Sequence, residues 1–187
     1  MDTEIPARDE AELLRLIAQG SQRAMAEFYQ RHSQVVLAQI LLMTGERPLS
    51  EEILQDTMLA VWRGAGSFRG ESRVRSWVIA IARRQARDRI RGRRWRVVDD
   101  AYLAGRASPD PGPDVIALER AEVAEVATAI RGLRPAHREV LGLAFGAGLS
   151  LPEVAELLGI PLGTVKSRLV VARAALSQAL DEKGTNR

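Results

Sequence analysis

The chain has 187 residues, 46% of them hydrophobic and 27% charged, and a formal net charge of +3. This is the balance of a globular protein with one medium domain or two small ones. With no cysteine there is no disulfide, thiol nucleophile or cysteine-type zinc site, which suits a reducing compartment. The two histidines, His32 and His137, are too far apart in sequence to suggest a metal cluster, so no metal and no cofactor is expected. No apolar run reaches the ~18 residues of a membrane span, and Met1 to Asp9 lacks the basic and apolar blocks of a signal peptide. A cytoplasmic location is expected.

No segment alternates apolar and polar residues over several pairs, whereas helical spacing recurs throughout, so the chain is expected to be all-α. A first helix near Glu10 to Ala18 buries Leu13, Leu14 and Ile17, and Gly20-Ser21 closes it. A longer helix from Gln22 to about Met43 turns Met25, Phe28, Tyr29, Val35, Val36 and Ile40 inward. Gly45 to Pro48 breaks the pattern, and Ser50 is the expected cap of a helix with a buried stripe of Ile53, Leu54, Met58, Val61 and Trp62. Glu51, Glu52, Gln55 and Asp56 fall on its outer side.

A Gly-rich loop, Gly64 to Ser72, precedes a helix with Val74, Trp77, Val78 and Ile81 on one side. That helix runs into a stretch, residues 83 to 96, holding eight arginines against the single acid Asp88. One acid cannot pair eight bases, so the stretch suits a nucleic acid or an acidic protein surface, with a solvated helix face as the alternative. Residues 98–114 contain Gly105, Pro109, Pro111, Gly112 and Pro113 without apolar periodicity and are expected to be a flexible linker. Helices resume from about Val115 to Ile130 and from Ala136 to Phe145.

The segment that follows has the pattern of a helix-turn-helix. Ser150 stands three residues before Glu153, the spacing of a capping box, ahead of Val154, Ala155, Leu157 and Leu158. Gly159 supplies a left-handed turn, Pro161 suits the opening of a new helix, and Val165 and Leu169 bury one side of it. The other side carries Thr164, Lys166, Ser167 and Arg168, residue types that bond phosphates or base edges in a major groove. An αα-hairpin with a solvated basic face is the plainer alternative. The chain is thus divided into two small helical domains, 1–97 and 115–182, with a short tail over 183–187.

Taken together, these motifs resemble those of a bacterial extracytoplasmic-function sigma factor, over nearly the whole chain. The segment Glu51-Glu52-Ile53-Leu54-Gln55-Asp56-Thr57-Met58 resembles the family's helix for core RNA polymerase, which implies contacts from Glu51, Glu52, Gln55, Asp56 and Met58. Phe68-Arg69-Gly70-Glu71-Ser72, Trp77 and the run through Arg83, Arg84 and Arg87 are similar to its reader of the minus-10 element. Leu162-Gly163-Thr164-Val165-Lys166-Ser167-Arg168 resembles its minus-35 recognition helix, with Arg173 a further contact. Ala80, Arg84, Val170 and Val171 depart from residues common among relatives.

The resemblance implies an alternative sigma factor with region 2 and region 4 domains. Its partners would be the β and β′ subunits of core polymerase, promoter DNA and a separate anti-sigma protein, with no small-molecule substrate. The competing reading is a stand-alone helix-turn-helix regulator whose N-terminal domain senses a ligand or dimerises. An enzyme acting on DNA is disfavoured, because no nucleophile is paired with a base and no carboxylates cluster at metal spacing.

Overall fold

The computed structural model describes residues 9–99 and 126–184, and no strand occurs among them. The side chains of 93–99 and of 182–184 are also outside the description. Helix α1, Glu10–Ala18, buries Leu13, Leu14 and Ile17 as its spacing predicts. Gly20 closes it at φ +86°, and the Ser21 hydroxyl accepts the Ala24 amide at 3.3 Å to open α2, Gln22–Thr44. The inward stripe of α2 is Ala24, Phe28, His32, Val36, Gln39 and Ile40. Two expectations change here: Met25 and Val35 are half-buried, and Tyr29 is 43% exposed. A 3.6-residue period lets Phe28 and Tyr29 alternate as the inward residue, and neighbouring helices select Phe28.

Helix α3 spans Arg47–Gly64 and therefore starts three residues before Ser50. Pro48 sits in its first turn, where a missing amide removes no helical bond. Ser50 is buried and donates its hydroxyl back to the Glu46 carbonyl at 2.6 Å instead of capping. A short 3₁₀ turn, Ala65–Ser67, leads through the loop to α4, Val74–Asp99. In α4 the buried apolar residues are Val74, Val78, Ile79, Ala82 and Ala86, so Ile79 takes the place expected of Ile81. A polar tie joins α3 and α4: Thr57 Oγ1 donates to Gln85 Oε1 at 2.9 Å, and Gln85 Nε2 donates to the Asp56 carbonyl at 3.2 Å.

The C-terminal part has α5 over 126–132, α6 over Pro135–Leu141, α7 over Leu151–Leu158 and α8 over Leu162–Gly184. The helix expected to run through Phe145 leaves α-geometry at Gly142 and becomes a π-turn over Gly142–Gly146. Of the expected linker, residues 100–114 lie outside the described residues, as do 115–125 of the helix placed after it. Helix α2 is the centre of the N-terminal half, packed on α1, α3 and α4, while α8 holds α6 and α7. One hydrophobic cluster continues between the halves, where α2 meets α6 and the π-turn and α4 meets α7.

His32 belongs to the core, with its ring 4.3 Å from that of Phe28 and Nε2 3.4 Å from a Glu10 oxygen. Burial pushes its imidazole below the usual 6.5, and Glu10 opposes the shift. Because Phe28 is fully enclosed and its neighbour is not, Phe28→Ala should cost about 3 to 5 kcal/mol in denaturant unfolding. Tyr29→Ala should stay within about 0.5 kcal/mol.

Candidate nucleic-acid interface

The helix-turn-helix forms as its sequence predicts. The Ser150 hydroxyl accepts the Glu153 amide at 3.4 Å, and a Glu153 oxygen accepts the Ser150 amide at 2.8 Å, completing the capping box. Gly159 takes φ +65°, and its left-handed turn swings the chain into α8. Pro161 lies one residue before α8, and its carbonyl accepts the amides of Thr164 and Val165 at 2.9 and 3.2 Å. Val165, Leu169 and Ala172 are buried beneath the helix.

Of the five residues expected to touch duplex DNA, Lys166, Ser167 and Arg173 are exposed, while Thr164 and Arg168 are half-buried at the edges of the outer face. The Ser167 hydroxyl donates to the Thr164 carbonyl at 3.0 Å. The Arg173 guanidinium lies over the Phe145 ring, 4.8 Å from its centroid, which holds the cation at one border of α8.

The loop before α4 places Arg69, Gly70, Glu71 and Ser72 at the surface, with Gly70 at φ +73°. Phe68 and Trp77 are half-buried, their rings tilted together with centroids 5.4 Å apart. A cavity of about 510 Å³ lies on one side of Phe68, lined by Glu10, Gly70, Ser72, Arg73 and Arg75 with Leu149 from the other half. A second, of about 480 Å³, lies on the other side between Arg15, Ala65 and Arg69. Phe68 lines both openings while also packing against the core.

Along α4 the structure corrects the charge count. Arg83 is only 3% exposed, with Nη1 2.5 Å from Glu139 Oε1, and Arg87 approaches the same oxygen at 3.7 Å. Arg89 bonds Asp56 at 2.6 Å and reaches Glu52 at 3.4 Å, and Arg91 bonds Asp88 at 2.6 Å. The arginines that lack acids nearby in sequence thus find them on α3 and α6. Arg83, expected to face DNA, is turned inward in this arrangement, whereas Arg84 and Arg87 remain exposed. Burial lowers the Arg83 guanidinium from its ordinary range, and Glu139 opposes that.

The acidic face on α3 is likewise partly neutralised, by Arg47 on Glu51 at 2.6 Å and by Arg89. Glu51, Glu52 and Gln55 are exposed and Asp56 half-buried. Met58, expected both in the buried stripe and as a polymerase contact, is only 5% exposed. It forms part of an apolar groove of about 640 Å³ with Met25, Tyr29, Leu59 and Trp62. Tyr29 and Leu59, 43% and 51% exposed, are the residues of this groove that the sequence reading missed. Their signal was Leu59 standing off the buried stripe of α3.

The two halves meet through polar contacts that no local pattern announces. Gln39 Nε2 donates to the Gly142 carbonyl at 2.9 Å, and Arg75 donates to the Ala147 carbonyl at 3.3 Å. Ser76 Oγ donates to Glu153 at 2.9 Å, and Arg73 lies 3.7 Å from the same oxygen. Gly142 packs closely here: a Cβ there would sit 2.5 Å from Leu42 Cδ1 and 3.2 Å from Gln39 Oε1, so a larger residue would have to displace the Leu42 side chain. Burial acts to raise the Glu153 carboxyl, but bonds from Ser150 and Ser76 and the Arg73 charge outweigh it and hold the group below 4.5.

An acidic helix beside a groove, an aromatic loop under an arginine-bearing helix, and a helix-turn-helix with a cationic outer face suit a protein that binds nucleic acid. Family models for sigma-70 region 2 and sigma-70 region 4 match residues 28–96 and 129–178. RNA polymerase sigma factor CnrH of Cupriavidus metallidurans is 35% identical over 173 residues, 88% of this chain and 90% of CnrH. ECF RNA polymerase sigma factor SigK of Mycobacterium bovis is 32% identical over 173 residues, covering 90% and 92% of the two chains. The structure of CnrH in complex with the cytosolic domain of CnrY aligns with a TM-score of 0.65 at 30% identity, over 92% of this chain and 97% of that one. The chain belongs to the sigma-70 family, in its extracytoplasmic-function branch. It is an alternative sigma factor, which binds core RNA polymerase and directs promoter-specific initiation, and sigma factors are initiation factors rather than enzymes. The stand-alone regulator is not favoured.

Two outcomes follow from the contacts between halves. Removing the Glu139 carboxylate leaves a buried guanidinium uncompensated, a loss of about 3 to 5 kcal/mol unless the halves part. Glu139→Ala should therefore increase the radius of gyration of the free protein in small-angle scattering, and an unchanged radius would assign the closure to the remaining contacts. Glu153 has a folded pKa below its unfolded value, so its contribution is present above the unfolded value and is lost as pH falls through the folded one. Glu153→Gln should lower the denaturation midpoint at neutral pH and flatten its decline on acidification below about pH 5.

Proposed function

We propose that α8 reads the duplex minus-35 element through Lys166, Ser167 and Arg173, with Thr164 and Arg168 at its margins. The carrying observation is the exposed, cationic face of α8 set on a buried seam of Val165, Leu169 and Ala172. The loop Phe68, Arg69, Gly70, Glu71 and Ser72, with Trp77, takes bases of the melted minus-10 strand, and the cavities beside Phe68 give an unstacked base somewhere to go. Arg84 and Arg87 hold its phosphates. Arg83 joins them when Glu139 releases it, since a phosphate and a carboxylate compete for the same guanidinium fork.

The groove of Met58, Tyr29, Leu59 and Trp62, rimmed by Glu51, Glu52, Gln55 and Asp56, is the docking surface for core polymerase. Apolar area supplies affinity there, while rim charges set association rate and salt dependence. The domain division is 1–97, a linker over 98–114, and 115–182 with a tail to 187. A change in relative position of the halves would free both DNA-reading faces. CnrH is seen with the cytosolic domain of CnrY. A separate anti-sigma protein acting on this chain in the cytoplasm follows by analogy, and among the described residues no helix is long and apolar enough to cross a membrane.

Run-off transcription with core polymerase tests this assignment. Leu59→Asp should weaken core binding by on the order of tenfold, because it places a charge in an apolar contact. Combined Glu52→Lys and Asp56→Lys should chiefly slow assembly and invert its salt dependence. If Leu59→Asp assembles with core polymerase as the parent does, the groove is not the docking surface.

A further inference from the structure

The outermost line of α8 is built from short side chains. Val165, Leu169 and Ala172 are buried, so the line diametrically opposite them faces solvent. At 3.6 residues per turn that line is Gly163, Ser167, Val170 and Ala174, and all four are exposed. A side chain starting at Gly163 would meet nothing within 4 Å. Lys166 and Arg173 stand on one flank of the line, and Thr164, Arg168 and Val171 on the other.

This arrangement has a mechanical consequence in a major groove. Long residues on the leading line would hold the helix axis away from the base edges, whereas glycine, serine, valine and alanine let the backbone settle close to them. The flanking cations then reach the phosphates on either side. Within that line Val170 is 68% exposed, the most exposed large apolar side chain among the described residues. A single exposed valine is ordinary on a protein surface. One at the centre of a cationic frame, one turn beyond Ser167, has a chemical counterpart: thymine alone presents a methyl group in the major groove.

We propose that Val170 is a specificity residue that selects a thymine in the upstream promoter element through its C5 methyl. The proposal rests on the reading that α8 enters that duplex, and it adds an apolar contact to the polar ones assigned above. Lys166 and Arg173 position the helix on the backbone, and Val170 carries base identity at one position.

The test uses holoenzyme assembled from the full chain and core polymerase. Duplexes are selected from a library randomised across the upstream element, and the selected sequence is rebuilt with each thymine in turn replaced by deoxyuridine, which lacks only the methyl. Wild-type holoenzyme should lose about fourfold in affinity at one thymine, the worth of one buried carbon group. Val170→Ala holoenzyme should show no loss there and should accept other bases at that position. A selected element without thymine, a wild type indifferent to every replacement, or an undiminished loss in Val170→Ala overturns the proposal. Lys166→Ala separates the two levels. If it weakens upstream binding while deoxyuridine changes nothing, the reading of α8 stands and the assignment of Val170 alone falls. If neither Lys166→Ala nor Val170→Ala alters upstream selection, both fall.

Discussion

A guanidinium that leaves water needs a carboxylate in reach, and for Arg83 that carboxylate comes from the other half of the chain. Glu139 stands 2.5 Å from it, with Arg87 in attendance at 3.7 Å. Burying Arg83 against the half-buried Glu139 yields little net stability, because desolvation offsets most of the attraction. What such a pair does impose is a strong penalty on leaving either partner alone. The position of α6 against α4 is therefore coupled to whatever anion Arg83 meets.

Glu153 extends the same logic to α7. One of its oxygens closes the capping box on Ser150, and the other accepts from Ser76 on α4. A local device that starts a helix thereby also ties the helix-turn-helix to the N-terminal half. The Gln39 bond to Gly142 and the close approach of Leu42 complete a junction in which directional polar contacts accompany a continuous apolar cluster. Junctions of this kind inside one chain are modest and open readily. That suits a factor whose two halves serve different promoter elements.

The functional surfaces differ in how much of their chemistry is spent internally. On α3 and α4, arginines and acids neutralise one another, leaving an apolar groove with a mixed-charge rim. On α8, Lys166 is exposed and makes no ion pair among the described residues, and the leading line is short and partly apolar. Much of the charge on α3 and α4 is thus bound up with architecture, whereas the Lys166 charge on α8 remains available to a partner.

The sequence by itself determined many of the local features that depend on neighbours along the chain. These include the ends of α1, the Ser150 capping box, the left-handed turn at Gly159 and the buried Val165 and Leu169. Each rests on spacing of three or four residues or on the backbone freedom of glycine, and both can be counted in one dimension. The family likeness was legible for the same reason, since its motifs are contiguous. Only the tertiary structure decided which arginines are free, because Glu139, Glu52 and Asp56 lie 33 to 56 positions from their partners. It also decided that Tyr29 faces out beside a groove, and that Gly142 packs against Leu42 and Gln39. Those outcomes depend on which helix lies against which, and helical periodicity specifies a buried face without naming its neighbour.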